Sequence, residues 1–420
     1  MIGKRKVTSN KRQREIVLFL GAGFSRGAGL PTMGQFGEES DYEFMQIDER
    51  HKDDRYAGQM LYNAGRVFQR FQQYCEQGGK SIDVDVNNME DIFCIAEAMR
   101  EAEINPILDL GNINSSYSVD SLINQIQFWL WKIYQMFPII DKIRLKSDPM
   151  ITPEVYKEFF KFLKQKEIKS LLTIITTNYD LVAEYYSWGL DLGFTYPLEK
   201  NRDYEQIKAC PESSESYLSN GLDLPLICKL HGSVNFFQHS NDSDNKLAIC
   251  DDLVKVGQKI GKTCIGAHEN AAQIHEGMRP SIFAFDAIWN LRERYGDSLV
   301  PAIIPPTYSK LQGQNWLRRI WNRAFKAIQQ ARVIIFIGYS MPPSDGFMRA
   351  MFQGALASRR DNGPEIYVID PFQNKEKPGE VYENLFVTLK EKNKESWLMK
   401  QTFAEAWKDG KLKRILESFS

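Results

Sequence analysis

The stretch Ile16-Val17-Leu18-Phe19-Leu20-Gly21-Ala22-Gly23-Phe24-Ser25 decides the fold. Five apolar residues end abruptly in a turn of small ones, as a buried strand does when it delivers the chain into a tight turn. Four further runs read the same way, at 171–176, 226–230, 333–337 and 366–369. Each is short, rich in β-branched residues and nearly unbroken in apolar character, the mark of a parallel strand covered on both faces. A sixth run, 299–304, meets Pro305 and Pro306 and reads as an edge strand or a loop.

Between the first and second runs the apolar spacing changes to three and four residues. Segments 55–77, 88–103 and 118–137 are therefore expected to be helices, the second capped by Asn88. Pro153 opens another helix through 166, and 312–331 is a strongly amphipathic helix. The stretch 238–297 is polar and has no clear periodicity. The organisation this predicts is a basic tail at 1–14 and an α/β domain over 15–375. That domain is a Rossmann-like parallel sheet with helices on both faces and a helical insertion at about 36–166, and a helical extension follows at 376–420.

The bulk numbers exclude some classes. The chain of 420 residues carries 53 basic and 54 acidic side chains, unlike a strongly basic nucleic-acid binder, so its bulk charge gives no expectation of direct contact with nucleic acid. The longest greasy stretch, 126–140, is interrupted by Gln127, Lys132, Gln135 and Pro138, which argues against a membrane span. Six cysteines without framework spacing and no secretory pattern point to reduced thiols in a cytoplasmic protein.

In open α/β sheets a ligand lies beyond the carboxyl ends of the strands. Each apolar run here ends in glycine or a compact polar group: Gly21-Ala22-Gly23-Phe24-Ser25, Thr177-Asn178-Tyr179-Asp180, His231-Gly232-Ser233, Gly338-Tyr339-Ser340 and Asp370-Pro371. Glycines let a backbone approach a pyrophosphate and open a helix whose free N–H groups face the anion. The dehydrogenase fingerprint is absent, since Arg26 stands where its third glycine belongs and the glycine comes at Gly27. A hydride-transferring dehydrogenase is disfavoured. Taken singly, Asn178 also reads as a cap for a helix from 180, His231 as a satisfied core histidine and Asp370 as a turn former.

Together these residues resemble the sirtuin superfamily. Its GAG-x-S and AGLP-like motif corresponds to Gly21–Ser25 and Ala28-Gly29-Leu30-Pro31, its T/Q-N-x-D to Thr177–Asp180, its His-Gly to His231-Gly232 and its glycine-serine turn to Gly338–Ser340. There are departures. No Cys-x-x-Cys pair is present, and the leftover Cys250, Cys264, His268 and His275 fit no zinc spacing, so no metal and no structural zinc is expected. The strand that clamps an acyl-lysine peptide in deacylases is missing, with Pro301–Thr307 in its place. Thr32-Met33-Gly34 stands where aspartate-phenylalanine-arginine usually follows the AGLP-like stretch.

Such departures are similar to the bacterial sirtuin-like proteins of anti-phage defence, which hydrolyse NAD. The resemblance implies NAD as substrate, with Gly21, Ala22, Gly23, Ser25 and Thr177 at the pyrophosphate and Gly338, Ser340 and Asp370 towards the adenosine. It implies Asn178, His231 and Asp180 as catalytic candidates. It further implies a homo-oligomer controlled by a HerA-type ATPase or a phage-sensing protein. The other readings are a non-catalytic NAD- or ADP-ribose-binding scaffold and a zinc-free deacylase.

Overall fold

The structure, a computed structural model, describes residues 15–32, 57–78, 89–109, 114–116, 118–134, 152–166, 168–208, 224–239, 246–250, 291–292, 294–296, 298–304, 314–342, 345–359, 362–371 and 379–419. The basic tail, Asn88, Cys264, His268 and His275 lie outside them.

Twelve strands are defined: β1 (Ile16–Leu20), β2 (Ile107–Asp109), β3 (Asn114–Ser116), β4 (Leu172–Thr176), β5 (Tyr204–Ile207), β6 (Leu226–Lys229), β7 (Gly232–His239), β8 (Leu247–Cys250), β9 (Leu299–Ile303), β10 (Val333–Ile337), β11 (Glu365–Ile369) and β12 (Leu398–Met399). The main sheet runs β12-β11-β10-β1-β4-β6, and every pairing in it is parallel. Numbered by order along the chain and read from β6, these strands run 3-2-1-4-5-6, the order of the dinucleotide-binding α/β fold. All five residues of β1, β4 and β10 are buried, which is why these strands carry no polar alternation.

Helices flank the sheet: α1 (Ala22–Arg26), α2 (Ala57–Gly78), α3 (Met89–Glu101), α4 (Val119–Tyr134), α5 (Pro153–Gln165), α6 (Val182–Gly189), α7 (Asn315–Gln330) and α8 (Gly346–Ala357). After β11 come α9 (Glu380–Leu385), α10 (Lys394–Trp397), α11 (Phe403–Lys408) and α12 (Lys411–Ser418). Helices α2, α3, α4 and α5 lie between β1 and β4 in the chain, in the span 36–166 read as an insertion.

Two features go beyond the sequence reading. The sixth strand of the parallel sheet is β12, a two-residue strand inside the expected helical extension. Segment 299–303, read as an edge strand or a loop, joins a second sheet, ordered β5-β8-β7-β9, that the polar stretch from 238 did not reveal. In that sheet β9 is an edge strand, where Pro301 needs to donate no ladder hydrogen bond. The insertion docks here: Trp131 donates its indole N–H to the Val234 carbonyl (2.7 Å) and Gln127 its amide to the Ile303 carbonyl (2.9 Å).

Candidate functional site

The strand order brings the five sequence motifs into one row. His231 follows β6, Thr177 and Asn178 follow β4, Gly21 follows β1, Gly338 follows β10 and Asp370 follows β11, on five consecutive strands of the sheet. At about 4.8 Å per strand, His231 and Asp370 lie four steps, roughly 19 Å, apart. Strand β1 has β4 on one side and β10 on the other, so the row crosses the point where the strand order reverses, which is where such sheets bind ligands.

Direct contacts join the middle of the row. Asn178 Nδ2 donates to the Gly21 carbonyl (2.8 Å) and to Ser25 Oγ (2.9 Å). Thr176 Oγ1 donates to the Leu20 carbonyl (2.9 Å) and accepts from the Asn178 N–H (3.0 Å), so the ends of β1 and β4 are tied twice. Ser25 is turned inward and is 1% exposed. Its hydroxyl supports Asn178, a different task from the phosphate contact the motif suggests. Asn178 is half-buried, and its Oδ1 makes no hydrogen bond among the described residues.

On the other side the glycine turns pack on each other. The Gly23 N–H donates to the Gly338 carbonyl (2.9 Å), and a Cβ on Gly21 would stand 2.5 Å from that same oxygen. Gly338 has φ +62°, and a side chain there would collide with the backbone of Gly23 and Phe24. These glycines are demanded first by the contact between the two turns. The Gly338 N–H in turn donates to the Ile369 carbonyl (2.8 Å), placing Asp370 beside it. Ser340 is half-buried.

Asp180, buried, does not face the row. Its Oδ1 accepts the Val182 N–H (2.9 Å) at the first residue of α6, so it is Asp180, two residues before the helix, and not Asn178 that serves the helix start. Its carbonyl accepts from Lys229 Nζ, which lies 3.5 Å from Glu184 Oε1. Tyr196 donates its hydroxyl to Glu184 (3.1 Å) and accepts from the Asn235 amide (3.2 Å). Burial raises the Glu184 carboxyl above its ordinary pKa, and the Lys229 charge pulls it back. A wholly buried ion pair thus lies under the Thr177–Asp180 loop. A lysine inside an otherwise apolar strand was its one sequence signal.

His231 is 2% exposed. Its Nε2 lies 4.0 Å from Asp345 Oδ1, and Tyr339 donates its hydroxyl to Asp345 Oδ2 (2.8 Å). Its backbone is pinned by the Ile304 N–H on its carbonyl (2.9 Å). Gly232 then turns the chain at φ +78°, where any side chain would strike the Ala302 carbonyl. The Tyr179 ring sits 6.3 Å from the imidazole. Asp345 is the residue sequence reasoning missed. Tyr156, from the end of the insertion, donates to the Phe24 carbonyl and holds α1 from below. Burial, with Tyr186 and Asp180 nearby, raises its phenol well above the usual value, so it stays a neutral donor.

No family model matches the chain, and no curated protein matches it. Among solved structures it is similar to Sir2Tm bound to a propionylated peptide, at 10% identity over 96% of this chain and 95% of that one, TM-score 0.34. It is similar to a Sir2 homologue in complex with NAD, at 13% identity over 90% and 91%, TM-score 0.34. A third is a Sir2 homologue variant with ADP-ribose, at 14% identity over 90% and 93%, TM-score 0.32. Among the described residues no cluster of His, Cys, Asp and Glu is arranged to hold a metal, and no helix is long and apolar enough to cross a membrane.

Proposed function

We propose that this chain hydrolyses NAD, breaking the bond between nicotinamide and ribose to give nicotinamide and ADP-ribose. The observation that carries the reading is the row of polar and glycine turns on adjacent strand ends, with Asn178 held by Gly21 and Ser25 at its centre. The backbone at Gly21, Ala22, Gly23 and Thr177 takes the pyrophosphate, with Gly338 and Ser340 on the adenosine side. Asp370, an acceptor-only carboxylate, takes ribose hydroxyls. The amide nitrogen of Asn178 is committed to the turn, which leaves Oδ1 to accept from a ribose hydroxyl or from the attacking water.

In the reaction the glycosidic C–N bond breaks through an oxocarbenium-like transition state, water adds to the ribose carbon and nicotinamide leaves as a neutral base. The proton lost by the water or by a ribose hydroxyl passes to His231, whose imidazole is the base that follows β6 in the row. Asp345, 4.0 Å from Nε2, is placed to stabilise the charge that forms on the ring. Asp180 acts indirectly, by fixing the loop that carries Asn178. The family resemblance extends the reading to a homo-oligomer acting in anti-phage defence under a HerA-type ATPase or a phage-sensing protein.

One observation favours a second reading, an NAD- or ADP-ribose-binding subunit without turnover: His231 is almost fully buried. Nicotinamide release from NAD, followed with thermal melting on the same preparations, separates the two. Asn178→Ala and His231→Ala should each lower turnover on the order of a hundred- to ten-thousand-fold per folded molecule. Binding of NAD without release by the unaltered protein would favour the second reading. Unchanged turnover per folded molecule in His231→Ala would remove that residue from the mechanism.

A further inference from the structure

Between the second sheet and α7 lies an open groove of about 930 Å³ that none of the strand-end motifs lines. One wall is the segment 196–203 with Lys246, and the other is the outward face of α7. Six cations line it, Arg202, Lys246, Arg318, Arg319, Arg323 and Lys326, against two acids, Glu199 and Asp203. Both acids are already matched, Glu199 by Arg202 at 3.0 Å and Asp203 by Arg319 at 2.6 Å. Lys246, Arg323 and Lys326 make no ion pair among the described residues. Charge summed over the chain, 53 basic against 54 acidic, hides this face entirely.

A merely solvated helix face does not need this composition. Helix α7 has no Asp or Glu at any of its 16 positions. Its Arg319 and Arg323 stand four apart, where like charges repel and an interleaved acid would stabilise. At about 1.5 Å of rise per residue, Arg319, Arg323 and Lys326 form a ladder roughly 10 Å long on one side of the helix.

We propose that this groove binds a nucleic-acid duplex through its phosphates, by charge and without reading sequence. A protein partner would need apolar or aromatic anchors at the centre of the patch. The two aromatic residues in the lining, Tyr196 and Trp316, are instead buried. Their burial also disfavours a single strand, whose bases want exposed rings to stack on. A duplex hides its bases and presents a ridge of phosphates, which the ladder of cations matches. This site stands apart from the NAD reading and does not depend on it.

The test is binding of a labelled duplex of mixed sequence, measured over a range of salt, with its single strand and poly-glutamate as comparators. The wild-type chain should bind the duplex most tightly, with log K falling linearly in log salt at about 0.9 per phosphate contacted. The triple variant Lys246→Gln, Arg323→Gln, Lys326→Gln should lower that slope by roughly two to three and weaken binding, with melting temperature unchanged. Equal or tighter binding of the single strand or of poly-glutamate overturns the proposal. So does a triple variant that keeps the wild-type affinity and slope.

Discussion

Asp345 is 1% exposed, with one carboxylate oxygen towards His231 and the other holding the Tyr339 hydroxyl. A carboxylate 4.0 Å away steadies, through its charge, the imidazolium that forms when His231 takes a proton. Asp345→Asn keeps the shape and removes the charge. It should lower NAD turnover on the order of a hundredfold or more, with little change in the substrate concentration needed for half-maximal rate. A variant with wild-type turnover would make Asp345 a structural neighbour only. At this scale the sequence was uneven. The strand-end placement of Gly21, Asn178 and His231 was legible because each stands at or just beyond the end of an apolar run. Asp345 follows two prolines and a serine and reads as a turn, and only the packing of α8 against α7 carries it to His231.

Among the elements, the parallel strands were legible because burial on both faces writes itself as unbroken apolar runs. The second sheet was not: β7 carries Asn235, Gln238 and His239 among its apolar residues, and β9 is crossed by Pro301. The two-residue β12 is too short to leave a pattern. Asparagine 235 is buried on β7 because it bonds Tyr196, which bonds Glu184, which faces Lys229. That network makes a prediction about the loop above it. Lys229→Met removes the one charge that draws the Glu184 carboxyl down, leaving burial to raise it further. Breaking a buried pair in this way costs about 3–5 kcal/mol. A carboxyl raised in the folded state contributes stability below its unfolded value near 4.5, and that contribution is lost as pH rises through the folded value. Lys229→Met should therefore melt lower than wild type at neutral pH and recover part of the difference as pH falls towards 5. Melting curves over that range check it. A deficit that stays constant or grows on acidification would mean that Glu184 does not take the proton.

Across the whole molecule, the two ends of the described chain meet at the site. Phe403, from the C-terminal extension, packs its ring at a tilt 4.9 Å from Phe24 and 5.1 Å from Tyr156, and edge-on 5.2 Å from Phe159. Phe24 belongs to α1, directly after the glycine turn, and its carbonyl accepts from Tyr156. The extension is therefore a wall of the first turn as well as the sixth strand of the sheet. Trp407, farther out, packs on Phe159 and Phe162 and bonds Glu158. The difference between the two rings can be measured. Phe403→Ala opens a cavity worth about 3–5 kcal/mol beneath α1. It should lower the melting temperature and also NAD turnover per folded molecule, because the turn that holds Asn178 loses its backing. Trp407→Ala should lower the melting temperature while leaving turnover per folded molecule near wild type, since no atom of Trp407 is in ring contact with α1. Melting and nicotinamide release on both variants decide it. If Phe403→Ala melts low but turns over normally once folded, the extension clamps the fold without shaping the site.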